Sequence, residues 1–361
     1  MLFNSLEFAV FLPLVFLVYW LVARKPLWIQ NAVVVAASAV FYGWWNWKFL
    51  GLIAFSTVLD YTIARLMAGT QETGRRKLLL WISVGANIGL LGFFKYYNFF
   101  IDSFVSAFSL FGVSLASPTL NIILPVGISF YTFQTLSYTI DVYRNKMPAT
   151  NNLLAFAAYV SFFPQLVAGP IERAVDFLPQ FLGKRQFELD KAVDGCRQML
   201  WGLAKKVVIA DQCGRYVNYI FDCSDMHPGS TLLLGGMLFS IQIYADFSGY
   251  SDIAIGAARL FGFSLRRNFA YPFFARDVAE HWRRWHISLS TWFRDYVYIP
   301  LGGSRGGQWM SIRNIAIVFL VSGLWHGANW TYVAWGGVHA RCLLSNTKGS
   351  MHSACTPPQA T

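Results

Sequence analysis

From about Ile315 to Val338 the chain carries no charged side chain, and His326 and Asn329 are its only imidazole or amide groups. A run of that length suffices to cross a hydrocarbon core as a helix. Comparable runs recur at about residues 6–23, 28–45, 49–67 and 78–97, with a shorter one at 99–115, then at 121–140, 193–221 and 231–263. At membrane depth no water is available to the peptide groups, so long apolar segments must satisfy them internally as helices. The expected fold is therefore all-α, a polytopic membrane protein. Composition agrees: 55% hydrophobic and 13% charged residues in 361, with a mean hydropathy of +0.43, would leave a water-soluble globule exposing large apolar areas.

Met1–Glu7 has no basic n-region, and the apolar stretch Phe8–Ala23 ends at Arg24-Lys25 rather than at a small-residue cleavage site, so it reads as a retained first span. Two segments depart from the simple pattern. Residues 121–140 contain Pro125, Gly127, Ser129, Gln134 and Ser137, which predicts a kinked span lining something wetter than lipid. Leu153–Gly169 is short, interrupted by Pro164 and Gln165 and closed by Ala168-Gly169-Pro170, which predicts a re-entrant element ahead of the charged stretch 172–191. There is no internal repeat, linker or second domain.

The formal net charge is +11, but the basic residues fall in short clusters between apolar runs instead of along one polar face, which argues against nucleic acid as a partner. They read as topology signals. Arg24-Lys25, Arg75-Arg76-Lys77 and Arg144/Lys146 predict basic loops in the cytoplasm and an N-terminus outside the cytoplasmic membrane, with Trp44-Trp45-Asn46-Trp47 at the outer interface. Residues 264–313 interleave arginines with Trp282, Trp285, Trp292 and Phe293, the pattern of helices lying in the interface. Anchoring explains that pattern; a sharper reading makes Arg283, Arg284 and Arg294 the grip on an anionic cytosolic donor. The five cysteines form no C-x-x-C pair and no metal spacing.

Several motifs fail on chemistry. Gly302–Gly307 lacks the Lys-Ser/Thr ending of a phosphate loop, and Ser251 lacks the second glycine of a nucleophile elbow. His281 and His286, five apart, would diverge by roughly 140° on a helix, so no metal site is expected. What remains is His286, His326 and polar residues in apolar surroundings: Gln165, Tyr244, Asp246, Ser251 and Asp252, joined by Asn329 as expected channel residues. Thirteen residues past Arg313, His326 would lie roughly 20 Å along a helix in a core about 30 Å thick, beyond mid-membrane. Ionisable groups at that depth mark pathways and reactive sites. A desolvated imidazole stays neutral and can take a proton from an attacking hydroxyl, which favours acyl transfer to an alcohol. Gly323 and Gly327 would let a neighbouring backbone approach beside it.

Four segments, Phe163–Ile171 (FPQLVAGPI), Tyr244–Gly256 (YADFSGYSDIAIG), His281–Arg305 (HWRRWHISLSTWFRDYVYIPLGGSR) and Gly323–Trp330 (GLWHGANW), resemble the membrane-bound O-acyltransferase family in identity and order. Within it they resemble the bacterial branch that contains the alginate O-acetyltransferase membrane subunit. The resemblance implies a ring or funnel of helices around a central channel, His326 at the catalytic histidine and His286 at the second polar site. It implies no bound cofactor. The donor would be acetyl-CoA or another acyl thioester from the cytosol, and the acceptor a hydroxyl on the outer side, usually reached through a periplasmic acetyltransferase partner that delivers to a polysaccharide. Peptidoglycan and teichoic acid are the neighbouring acceptors. The resemblance covers about residues 1–340; the polar tail 341–361 (RCLLSNTKGSMHSACTPPQAT) departs from it and is expected to lie outside the fold. A non-catalytic alternative follows from that departure, a truncated inactive product or an acyl conduit.

Overall fold

The protein is described by a computed structural model over residues 1–112, 120–167 and 169–353, with 346–353 as backbone only. The end of the expected 99–115 run, Ala168, and the tail beyond Ser353 with Cys355 lie outside the described residues. In chain order the helices are α1 (Leu6–Leu21), α2 (Leu27–Asn46), α3 (Leu50–Ala68), α4 (Thr73–Leu91), α5 (Tyr97–Ser109), α6 (Ile128–Tyr143), α7 (Leu153–Ser161), α8 (Phe163–Leu166), α9 (Ala174–Phe177), α10 (Pro179–Leu182), α11 (Leu189–Leu203), α12 (Asp211–Asp222), α13 (Gly229–Leu260), α14 (Val278–Arg284), α15 (Ile287–Phe293), α16 (Gln308–His326) and α17 (Trp330–Ser353). No strand occurs among the described residues. Among the described residues three helical runs, 27–68, 73–109 and 229–260, are long and apolar enough to cross a membrane. Asn46 interrupts the first: its extended backbone and its side chain, which accepts from the Lys48 amide at 3.1 Å, turn α2 into α3. The exposed indoles of Trp44, Trp45 and Trp47 gather at that turn.

Two expectations are corrected, and a third run takes a form of its own. The kinked span over 121–140 is helical only from Ile128, because Pro125 cannot donate to a helix and Gly127 adopts φ +76°. Residues 193–221 fall within one helical run, α11 through α12, whose middle, Ala204–Ala210, is π-helical; its many charges keep it out of the set apolar enough to span. The run 315–338 is not one helix, since Gly327 turns extended and Ala328-Asn329 separate α16 from α17. Helices α7 and α8, nine and four residues long, are too short to cross, in keeping with a re-entrant element. Helix α17 continues without a break past Ala340 to Ser353.

The chain forms two compact units. Residues 1–85 with 130–267 make the first. One centre of it is aromatic: Phe162, Phe177, Phe181 and Phe263 are fully buried, with the rings of Phe181 and Phe263 at 4.5 Å and those of Phe162 and Phe263 at 4.7 Å. The buried Arg185 guanidinium sits 4.8 Å from the Phe263 ring centre and donates to Asn31 Oδ1 at 2.7 Å. A second centre is the antiparallel pair α11–α13. A Cβ on Gly256 would stand 2.4 Å from the Gly195 carbonyl oxygen, and one on Gly202 would stand 2.6 Å from that of Gly249, so only glycine permits this approach.

Residues 86–129 with 268–361 make the second unit. Its largest packing is α16 against α17, again through glycine: a Cβ on Gly323 would lie 2.2 Å from the Tyr332 carbonyl oxygen, and one on Gly336 would lie 2.4 Å from that of Phe319. The approach expected of Gly323 is thus present. Gly327 serves differently, giving room to the Tyr332 ring, 2.1 Å from where its Cβ would be.

Candidate active site

His326 is the last residue of α16. Gly327 lets the chain leave the helix there, and its amide still reaches the Gly323 carbonyl at 3.3 Å. The His326 ring stands between two indoles, 4.9 Å from Trp325 and 5.3 Å from Trp335, both edge-on. Among the described residues it makes no hydrogen bond.

His286 is placed by a break between two short helices. Helix α14 stops at Arg284, Trp285 is extended, and His286 takes a left-handed backbone, φ +40° and ψ +56°, before α15 starts. For a residue other than glycine that conformation costs about 1–3 kcal/mol and persists only where the surroundings enforce it. Here the enforcement is visible. The segment Asn268–Ala270 runs alongside, with the Ala270 amide donating to the Arg284 carbonyl and the Ile287 amide to the Asn268 carbonyl, both at 2.9 Å. The Asn268 side chain then gathers His286 Nδ1 at 3.1 Å, Ser288 Oγ at 2.9 Å and the Ser288 amide at 3.3 Å on its single Oδ1. Because an amide N–H already donates to that oxygen, it is an acceptor, and His286 must offer it Nδ1–H. The lone pair of the neutral ring is thereby assigned to Nε2. Complete burial, with the nearby His326 in second place, pushes the His286 imidazolium well below its usual range, so the ring is neutral.

The two histidines line one cavity of about 160 Å³. Trp282, Trp285, Phe293 and Phe319 form its aromatic wall, Ser290 and Ser322 add hydroxyls, and Leu343 of α17 closes one side. Two imidazoles lining a small, largely apolar space can accept a proton from a hydroxyl that enters it.

The arginines divide. Arg284 Nη2 donates to Glu280 Oε1 at 2.6 Å, and Arg276 binds the other oxygen through its amide at 2.9 Å and its Nε at 3.1 Å. The Arg276 amide and guanidinium hold the Glu280 carboxyl down at about 2. Arg294 pairs with the adjacent Asp295 at 2.7 Å. Arg283 is exposed and has no hydrogen bond or ion pair among the described residues. His281 lies on α14 and turns its Nδ1 to the Pro272 carbonyl at 3.1 Å. Gly302–Gly307 is a turn with φ of +104°, +58° and +91° at Gly302, Gly303 and Gly307, pinned by Asn314 Nδ2 on the Gly303 carbonyl at 2.8 Å.

The remaining channel candidates have other surroundings. Asn329 caps α17, its Oδ1 accepting from the Thr331 amide at 3.0 Å and the Thr331 hydroxyl at 3.1 Å. Tyr244, Asp246, Ser251 and Asp252 belong to α13 in the first unit. Asp252 is bonded there by Lys205 and by Gln198 Nε2 at 2.8 Å; Asp246 is paired with Lys206 at 2.6 Å. Gln165, also of the first unit, is buried on α8, and its Oε1 has no partner among the described residues. Gly169 closes the turn behind it, with a Cβ there 2.4 Å from Gln165 Cα.

Sequence reasoning missed three residues of the second unit. Asn268, which orients His286, lies eighteen positions away with no spacing signal. Lys95 and Tyr96 bond the carbonyls of Trp325 and Leu324, next to His326. For Lys95 a signal existed, since it is a lone cation inside an apolar run, the same criterion that singled out His326.

A family model described as MBOAT, membrane-bound O-acyltransferase family, matches residues 44–352. A probable alginate O-acetylase AlgI of Azotobacter vinelandii is 45% identical over 346 residues, covering 95% of this chain and 68% of the relative. The peptidoglycan O-acetyltransferase of Helicobacter pylori is 37% identical over 95% of this chain and 70% of its own length. A teichoic acid D-alanyltransferase of Streptococcus thermophilus is 29% identical, over 69% of this chain and 63% of its own. The chain thus spans about two thirds of the length of these relatives.

Proposed function

This chain belongs to the membrane-bound O-acyltransferase family, and from that premise we propose that it transfers an acetyl group to hydroxyls of an exported polysaccharide such as alginate. The donor is a cytosolic thioester, acetyl-CoA or an acyl carrier. Delivery outside the membrane is direct or through a periplasmic acetyltransferase partner. In this reading His326 takes the proton of the acceptor hydroxyl as its oxygen attacks the thioester carbonyl. The C–O bond forms, the C–S bond breaks, and the departing thiolate takes up the proton from His326. His286, its tautomer set by Asn268, positions the donor from the cytoplasmic side, and Arg283 is the arginine available for the donor's phosphates. One observation carries the proposal: His326, without a hydrogen bond to the described protein, shares a cavity with a neutral, fixed second histidine.

Removing a positioned base typically costs about 10² to 10⁴ in rate. His326→Ala is therefore expected to abolish measurable O-acetylation while membrane insertion and yield stay unchanged. His326→Gln keeps polarity and approximate size but cannot take the proton. Normal acetylation by His326→Gln would sink the general-base role, and loss of folded protein in both variants would make His326 a packing residue. The 37% identity to a peptidoglycan O-acetyltransferase keeps peptidoglycan as the second acceptor. Supplying labelled acetyl donor and asking which polymer carries ester label separates the two.

A further inference from the structure

Helix α16 ends in a way that leaves carbonyls to be satisfied beside the reacting histidine. The last turn of any helix has C=O groups without an intrahelical donor. Here the Gly323 carbonyl receives Gly327, and the next two, Leu324 and Trp325, receive side chains from a distant part of the second unit. Tyr96 OH donates to the Leu324 carbonyl at 2.6 Å, and Lys95 Nζ donates to that of Trp325. Lys95 also reaches Ser129 Oγ at 3.4 Å and stands 5.6 Å from the Trp325 ring centre and 5.8 Å from that of Tyr96.

Two details make this more than ordinary packing. Lys95 and Tyr96 are adjacent in sequence, and residues one apart on a regular α-helix point about 100° apart. Their segment, Gly92–Tyr96, is a π-helical turn, whose widened geometry departs from that spacing, and both side chains reach the end of α16. The cation is also unusual: Lys95 lies in the apolar run 73–109, and among the described residues no carboxylate is within ion-pair reach. Its charge is met by the negative end of α16 and by two aromatic faces. A charge kept at membrane depth without a counter-ion is held there for what it contacts. It contacts the residue that precedes His326.

We propose that Lys95 and Tyr96 are positioning residues that clamp the C-terminal turn of α16 and so fix the His326 imidazole in the cavity it shares with His286. The clamp rests on the reading of His326 as the general base. Neither residue touches substrate in this account. Loss of the clamp should change turnover more than donor affinity, since a misplacement near 1 Å at a reacting group can cost about 10²-fold.

The test compares the full chain in lipid vesicles as wild type, Lys95→Met, Lys95→Arg, Tyr96→Phe and His326→Ala. Steady-state kcat and KM are measured for acetyl transfer from acetyl-CoA, with amide hydrogen exchange over residues 322–328. Lys95→Met is expected to lower kcat by about 10- to 100-fold with donor KM within about twofold, and to speed exchange at the end of α16. Lys95→Arg, which keeps charge and donors, should recover most of kcat. Tyr96→Phe, one oxygen smaller, should lower kcat by about 3- to 10-fold. Unchanged exchange in both Lys95→Met and Tyr96→Phe overturns the clamp whatever the activities. So does a raised KM with kcat intact, which would make Lys95 a donor-binding residue. If Lys95→Met does not insert, Tyr96→Phe decides by the same two readouts. A His326→Ala protein as active as wild type removes the general-base reading alone, because the exchange measurement still judges the clamp.

Discussion

Two helix pairs in this molecule are built on the same device and hold opposite kinds of polar group. In α11–α13 and in α16–α17 the backbones approach so closely that a single added carbon would collide with a carbonyl oxygen, at 2.4 Å over Gly256 and at 2.2 Å over Gly323. The first pair carries charges at its seam, and they pair with one another. Lys205 bonds Asp252 and Ser248, and Lys206 bonds Asp211 and Asp246 while lying 5.4 Å from the Tyr250 ring centre. The second pair ends in an imidazole that no described residue satisfies, facing a cavity. The contrast separates scaffold from site. Buried polarity whose partners are all within the protein is explained by packing, whereas polarity turned toward an open volume is held for something that enters.

The sharpest way to break that contrast is to unpair the charges. Lys205 and Asp252 are mostly buried, with side-chain exposures of 11% and 21%. Taking away one partner of a buried ion pair leaves an uncompensated charge and typically costs about 3–5 kcal/mol, while replacing both by apolar groups is often neutral. Lys205→Met alone should therefore lower the detergent melting temperature or abolish accumulation, and Lys205→Met with Asp252→Leu should regain most of the stability and keep acetyl transfer. A double variant that is folded but inactive would return Asp252 to the channel residues.

A smaller effect distinguishes the two seams from each other. An added Cβ in a tight contact forces backbone shifts costing about 1–3 kcal/mol. Gly256→Ala and Gly336→Ala, each with a carbonyl oxygen 2.4 Å from the new carbon, should both lose stability on that scale, and Gly337→Ala, with nothing within 4 Å, should not. The two destabilised variants are expected to differ in function. Transfer per folded molecule should hold in Gly256→Ala and fall in Gly336→Ala, whose strain reaches the helix that ends at His326. Equal transfer in both would mean that the α16–α17 seam does not set the histidine.

Much of this was legible in the sequence where lipid leaves the chain few choices. Helical spans, the indole-rich turn at Asn46, the small-residue contact at Gly323 and the cost of His326 all follow from local composition. What sequence pattern could not supply was partnership at a distance. Asp246 and Asp252 stand out as acids in an apolar helix, but the lysines that explain them are 40 and 47 positions away. Asn268 sets the tautomer of His286 from a segment of no special pattern. Hydropathy also cannot see chain breaks inside an apolar run. The Gly327-Ala328-Asn329 interruption carries its own helix-stop and helix-start residues, yet it sits in a stretch apolar enough to read as continuous.

The same interruption supplies the smallest and most discriminating expectation. Asn329 lies three residues beyond His326, and its amide in an apolar run made it a channel candidate. Its side-chain oxygen is already used, at 3.0 Å by the Thr331 amide and at 3.1 Å by the Thr331 hydroxyl. If capping is its whole role, Asn329→Ala should cost about 1 kcal/mol of stability with transfer per folded molecule unchanged. Asn329→Ser, another good cap, should restore the melting temperature. Stability and activity would then move separately at positions 326 and 329. A folded Asn329→Ser that loses tenfold or more in kcat would instead require the amide nitrogen, which no cap uses, and would place Asn329 beside His326 among the groups that meet substrate.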